Sequence, residues 1–253
     1  MKSKKQNFIE WNNNILISSF KKINLNIILI VVLDFLFYFL SGYLIILWLQ
    51  RIQAKMASFN IPTDVLALGA ERAQQLVSEV KGFYYLIVFS FIVLLIAIIF
   101  LASILKGVIW AKVTGTKITF KLISKFLGLN LLWMGFWFVI VFFISFLANP
   151  ASAPILMISA IILGIYFTNT LYTIFMKNQS LKLLLGSIKL NITKFHLFLL
   201  PHIMIFLLLY VIIRLSNLLK FKYSTILLGS ILIVYAAAVR YYASTLVLEV
   251  EKT

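Results

Sequence analysis

Apolar residues gather in long runs separated by short polar stretches, and the polar stretches carry nearly all of the charge. One run, residues 126–176, holds no Asp, Glu, Lys, Arg or His over 51 residues. Roughly 20 apolar residues cross a bilayer as a helix, so this run predicts two crossings. They meet at Asn149 to Pro154, where two prolines stop one helix and restart another. The full pattern predicts spans at 23–49, 83–105, 127–147, 155–176, 197–215 and 225–248.

A second periodicity sits between the spans. Across Ser180 to Phe195, Leu181, Leu184, Leu185, Ile188, Ile192 and Phe195 recur at helical spacing, with Lys182, Lys189 and Lys194 on other faces. That pattern describes a helix lying at a membrane surface. Phe8, Trp11, Ile15 and Ser19 form a similar face over residues 6–22, closed by Lys21 and Lys22. Ile118, Leu122, Ile123, Phe126 and Leu127 form another, beside Lys121 and Lys125.

The expected fold is therefore all-α: a polytopic membrane helical bundle of six transmembrane helices with three basic amphipathic surface helices. The order surface helix, span, turn, span recurs and suggests a three-fold hairpin repeat. The chain reads as one integral membrane domain over 1–253. An amphipathic N-terminal helix occupies 1–22, and the first hairpin 23–105. The second unit is 106–176 and the third 177–253. Within the first hairpin, both helices should extend into water and meet near Asn60 to Thr63, with Pro62 at the turn and Thr63 or Asp64 as a cap.

Composition agrees with the pattern. Apolar residues make up 63% of the chain and charged ones 12%, against 45–50% apolar for soluble domains. There is no cysteine, which excludes disulfides, thiolate catalysis and Cys-based metal sites. The formal net charge is +16, but the basic residues flank apolar runs. They read as a positive-inside signal and an attraction to anionic phospholipid head groups, not as a nucleic-acid surface. Fifteen basic residues fall on the side of the termini and seven on the other, which predicts a cell-membrane protein with both termini cytoplasmic. The first span should direct insertion without cleavage. Trp48, Tyr84, Tyr85 and Tyr223 then fall at the outer boundary, and Trp110, Tyr172, Tyr241 and Tyr242 near the inner one. Abundant Lys, Ile, Asn and Phe suggest an AT-rich prokaryotic genome.

This layout, with VTGTKITF at residues 113–120 between spans two and three, resembles a group of uncharacterised six-span prokaryotic membrane proteins. That group is related to the membrane domain of some glycerophosphodiester phosphodiesterases. The resemblance implies an architecture and no catalytic residues.

Ionisable groups inside a bilayer are costly and usually partnered. Asp34 in span one and Arg240 in span six lie at similar depth and are expected to pair. Asn130, Thr168, Asn169, Thr170 and His202 lie at a comparable depth, with Ser103 and Lys106 as the contribution of span two. Two readings of this polar layer stay open: a water-filled vestibule, or interhelical hydrogen bonds. His196 and His202 point to different faces of one helix, so no metal site is expected. No nucleophile elbow, P-loop, zinc motif or carboxylate pair is present, and neither catalysis nor a cofactor is expected. Two functions follow. One is a non-enzymatic scaffold or accessory protein on anionic lipid, in contact with other membrane proteins, with Lys21, Lys22, Lys121, Lys125, Lys182, Lys189 and Lys194 touching head groups. The alternative is a small transporter or permease-like subunit using Asp34, Asn130, Asn169, His202 and Arg240.

Overall fold

The computed structural model describes residues 8–58, 69–218 and 223–253. The expected turn at Pro62, Thr63 and Asp64 and the loop lysines Lys220 and Lys222 lie outside the described residues. Among the described residues eight helices follow in order: α1 (Phe8–Lys22), α2 (Asn26–Ala57), α3 (Ala70–Thr114), α4 (Phe120–Leu147), α5 (Ala153–Asn178), α6 (Leu183–Thr193), α7 (Phe195–Leu218) and α8 (Ser224–Val250). There is no strand among the described residues. Six of the eight, all but α1 and α6, are long and apolar enough to cross a membrane. The spans are longer than the apolar runs, because helix continues into the flanking polar residues at most ends.

The chain forms two compact units. One joins residues up to Phe35 with Ser103–Thr253, and the other is Leu36–Ala102. In the first unit α5 is the central helix, packed by α4, α6 and α8. Every residue from Asn169 to Met176 is buried, so this stretch of α5 is enclosed on all sides. Against it lies one stripe of α4, Leu122, Phe126, Leu129 and Trp133, spaced three and four apart and buried with Ile30, Ile109 and Trp110. A second cluster joins Ile15 of α1 to Tyr166, Ile174, Phe198, Leu246, Val247 and Val250. The expected α1 face is thus turned toward the protein, with Ile15 and Ser19 buried.

The middle surface helix is not a separate element. Helix α3 runs on to Thr114, a five-residue loop follows, and the stripe expected for a surface helix opens α4. Leu122 and Phe126 are fully buried, so that stripe meets protein, not lipid heads. Among the described residues two discrete amphipathic helices therefore accompany the six long apolar ones, in place of the three expected.

Helix α6 forms where expected. It turns Ser187 and Asn191 inward, while Leu181, Leu185, Ile192 and Phe195 remain exposed. Asn191 finds partners on α5, Thr170 and Tyr166, Ser187 donates to the Leu184 carbonyl of α6 itself, and Leu184 and Ile188 of the apolar stripe pack on the core. Asn191 is fully buried. Trp110, Tyr172 and Tyr241, expected as interfacial aromatics, are core residues as well.

Two joints at one end of this unit are closed by backbone geometry. Helix α5 ends at Gln179 in the left-handed region, φ 51°, and Lys125 Nζ donates to the Gln179 carbonyl at 2.9 Å. The α3–α4 loop starts at Gly115, φ +71°, and Thr119 caps α4 by accepting from the Leu122 N–H. Thr116 Oγ1 donates to the Met176 carbonyl at 3.3 Å, so this loop also covers the end of α5. Gly107 is a site of close approach: a Cβ there would meet Ile123 Cδ1 at 2.9 Å and the Phe126 ring at 3.1 Å.

The second unit holds α2 from Leu36 onward and α3 up to Ala102. Trp48 Nε1 donates to Ser90 Oγ at 2.9 Å, and its ring meets Phe91 at 5.8 Å. Tyr84 and Tyr85 are exposed.

Left-handed backbone costs a non-glycine residue about 1 kcal/mol or more. Gln179→Gly keeps the carbonyl that Lys125 binds and should raise stability by about 1 kcal/mol. Unfolding of the purified protein in detergent measures it.

Candidate functional site

Asp34 sits two turns into α2, Lys106 two turns before the end of α3, and Arg240 nearly three turns before the end of α8. At 1.5 Å per residue all three lie roughly 12–15 Å from those helix ends. The structure joins them. Arg240 holds the carboxylate with both terminal nitrogens: Nη1 donates to Oδ2, and Nη2 donates to Oδ1 at 3.1 Å. Lys106 Nζ donates to the same Oδ1 at 2.6 Å. Asp34 is fully buried, whereas the Lys106 and Arg240 side chains keep 15% and 11% of their exposure. The pair expected from the sequence is thus a triad of two cations on one anion.

A polar chain starts one turn from Lys106. Asn130 Nδ2 donates to Ser103 Oγ at 3.0 Å, and Tyr172 OH donates to Asn130 Oδ1 at 2.5 Å. This connects α3, α4 and α5. Nearby on the same helices, Trp133 Nε1 donates to Thr168 Oγ1 at 2.8 Å.

A separate network ties α5 to α6. Thr170 Oγ1 donates to Asn191 Oδ1 at 2.7 Å, and Tyr166 OH donates to the Asn191 carbonyl at 2.8 Å. His202 Nδ1 lies 2.9 Å from the Phe198 carbonyl, and its ring packs edge-on to Tyr166 at 4.8 Å. Pro201 precedes it inside α7 without ending the helix. Two buried atoms here lack a protein partner, Asn191 Nδ2 and His202 Nε2.

The polar layer expected at one depth is therefore divided. Asp34 and Arg240 meet; Asn130 belongs to the Ser103–Tyr172 chain; His202 belongs with Tyr166. Asn169 is buried and accepts through its backbone carbonyl from Thr173. Lys106, expected with Ser103 as the contribution of span two to the polar layer although it also heads a basic stretch, lies beside Asp34. Its direct ion pair with that carboxylate goes beyond the expectation.

The lysines at the end of this unit have unequal roles. Lys21, Lys22, Lys121, Lys182 and Lys189 are exposed, and Lys194 is half-buried. Lys125 is half-buried and serves the end of α5. Lys22 reaches Thr245 Oγ1 at 3.3 Å, and Lys177 pairs with Glu251 at 2.9 Å. These contacts bring the ends of α1, α5 and α8 and the start of α4 together, so their lysines collect at one end of the unit. Among the described residues no group of three acids or histidines could hold a metal ion. Comparison with protein-family models, curated proteins and solved structures finds no match to this chain.

Breaking one side of a buried ion pair costs about 3–5 kcal/mol, since a charge stays behind unpaired. Asp34→Asn leaves two cations and Arg240→Met leaves one pair; the first should cost the most stability. Lys106→Met leaves the two-pronged Asp34–Arg240 pair with no net charge and should cost the least of the three. Denaturation in detergent gives the order. Tyr172→Phe, which removes one interhelical hydrogen bond, should cost about 0.6 kcal/mol in the same assay.

Proposed function

We propose that this integral membrane protein is a non-enzymatic scaffold or accessory component that rests its lysine-bearing end on an anionic lipid leaflet. The observation that carries this reading is the convergence of exposed lysines at one end of the first unit, from α1, α4 and α6. Each lysine near an anionic surface contributes about 1 kcal/mol of attraction, so several together outweigh the loss of mobility. Exposed apolar residues stand among them: Ile17 and Phe20 beside Lys21, Phe120 beside Lys121, and Leu185 and Ile192 around Lys189. Such residues can enter the acyl boundary while the amines meet phosphates. On the positive-inside argument this end faces the cytoplasm. Phe120 is 90% exposed and leads α4 with Lys117 and Lys121 around it, a small wedge of that kind.

The transporter reading needs Asn130, Asn169 and His202 on one water path. Their burial and their division between separate networks favour packed helix contacts over such a path.

Glutamine at Lys21, Lys22, Lys121, Lys182 and Lys189 together should remove most of the preference for anionic over zwitterionic lipid, read by native mass spectrometry of lipids retained on the purified chain. Unchanged retention would remove the scaffold reading. Since the chain has no cysteine, single cysteines at 130, 169 and 202 test the alternative directly. They should resist a water-soluble maleimide in intact membranes; rapid labelling of all three would favour transport.

A further inference from the structure

We infer that the cavity between the last turns of α2 and residues 79–86 of α3, in the second unit, binds a phosphoethanolamine group, with Glu79 taking its ammonium. The cavity measures about 460 Å³ and is lined by Lys55 and Ser58 of α2 and by Glu79, Gly82, Phe83 and Leu86 of α3. The four α3 residues are spaced three and four apart and so form one stripe of that helix. Gly82 keeps the space open: a Cβ there would meet no atom within 4 Å.

Depth is the first argument. Both helices change character at this cavity. On α2 the apolar run ends at Leu49, and Arg51 and Lys55 follow. On α3 Glu79 and Lys81 precede Gly82, and residues 83–105 carry no charge. Tyr84 and Tyr85 are exposed beside it, as aromatics at a membrane boundary are. The cavity thus joins polar walls to an apolar floor, Phe83 and Leu86, where the glycerol end of a lipid head group would lie.

Charge is the second argument. Among the described residues Glu79 makes no ion pair and no hydrogen bond, while Arg51, Lys55 and Lys81 stand within a turn of the lining. A simple cation that reaches Glu79 meets these three basic residues, and a simple anion drawn by them meets Glu79. A ligand bearing both charges gains from both. Lys55 has a further interaction of its own, so a phosphate answers to the summed basic field and not to that amine alone. The donor count narrows the ammonium. Ser58 Oγ donates to the Lys55 carbonyl at 2.6 Å, which leaves its lone pairs to accept. A carboxylate and a hydroxyl suit a primary ammonium, which brings N–H donors; a quaternary choline brings none.

The group can belong to a lipid or be free in water, and the test separates these sources. The full chain, purified in detergent, is melted against dioctanoyl phosphatidylethanolamine, phosphatidylcholine and phosphatidylglycerol, and against soluble phosphoethanolamine. Its melting temperature should rise with phosphatidylethanolamine at concentrations about tenfold below those the other two lipids require. A rise with the lipid alone assigns a head group; an equal rise with soluble phosphoethanolamine assigns the free zwitterion. Glu79→Gln should weaken the response to phosphatidylethanolamine about tenfold and strengthen that to phosphatidylglycerol. Gly82→Leu, which fills the cavity with a better helix former, should melt no lower than the natural chain and lose the response. The five surface lysines share no residue with this cavity, so their substitution should leave the effect intact, and this reading and the scaffold reading fail separately. The inference is overturned if the natural chain responds alike to all three lipids, or if Glu79→Gln titrates like it.

Discussion

A carboxylate with no exposure, held by two cations, is the constraint that organises the first unit. Its partners come from places 72 and 206 residues away in the chain, so three helices are fixed in rotation and depth by one group. In a low-dielectric interior the attraction is strong, but so is the cost of removing each charge from water. The triad is therefore better understood as a specification than as a source of stability. Slipping α8 by a residue turns Arg240 away and strands Asp34. Hydrophobic packing against lipid, which treats neighbouring registers almost alike, offers no such penalty.

The neutral networks extend the same specification. The Ser103–Asn130–Tyr172 chain sets α3 and α4 against α5, and the Asn191 contacts seat α6 across α5. Each bond contributes little, yet each has one geometry. Helix α5 takes part in both, which accounts for its enclosed stretch of eight residues. Around this polar frame the aromatic and aliphatic core fills space. Outside it, apolar residues face the surroundings, as a lipid-bathed surface requires.

Much of this was legible in the residues alone. Six apolar runs gave six crossing helices, because backbone hydrogen bonds inside a bilayer leave a long apolar stretch few alternatives. The Asp34–Arg240 partnership was legible too, since two isolated charges at matching depth have every reason to meet. The amphipathic segments were harder. A stripe of apolar residues looks the same whether it meets lipid heads or a neighbouring helix, so Leu122 and Phe126 suggested a surface that does not exist. On α6 the decisive residue was Asn191, whose role depends on Tyr166 and Thr170 of α5, partners that periodicity does not reveal. Lys106 was legible as a contribution of span two to the polar layer, but not as a partner of Asp34, because in one dimension it also borders the basic loop.

The spacing of the triad along the chain also bears on biogenesis. Asp34 belongs to α2 and Arg240 to α8, made 206 residues later. During synthesis the aspartate must therefore wait, with Lys106 the first of its partners to appear, until α8 arrives to complete its coordination. A nascent or truncated polypeptide without that helix exposes an ionisable group in the hydrocarbon region, a mark by which membrane quality control can recognise an unfinished product.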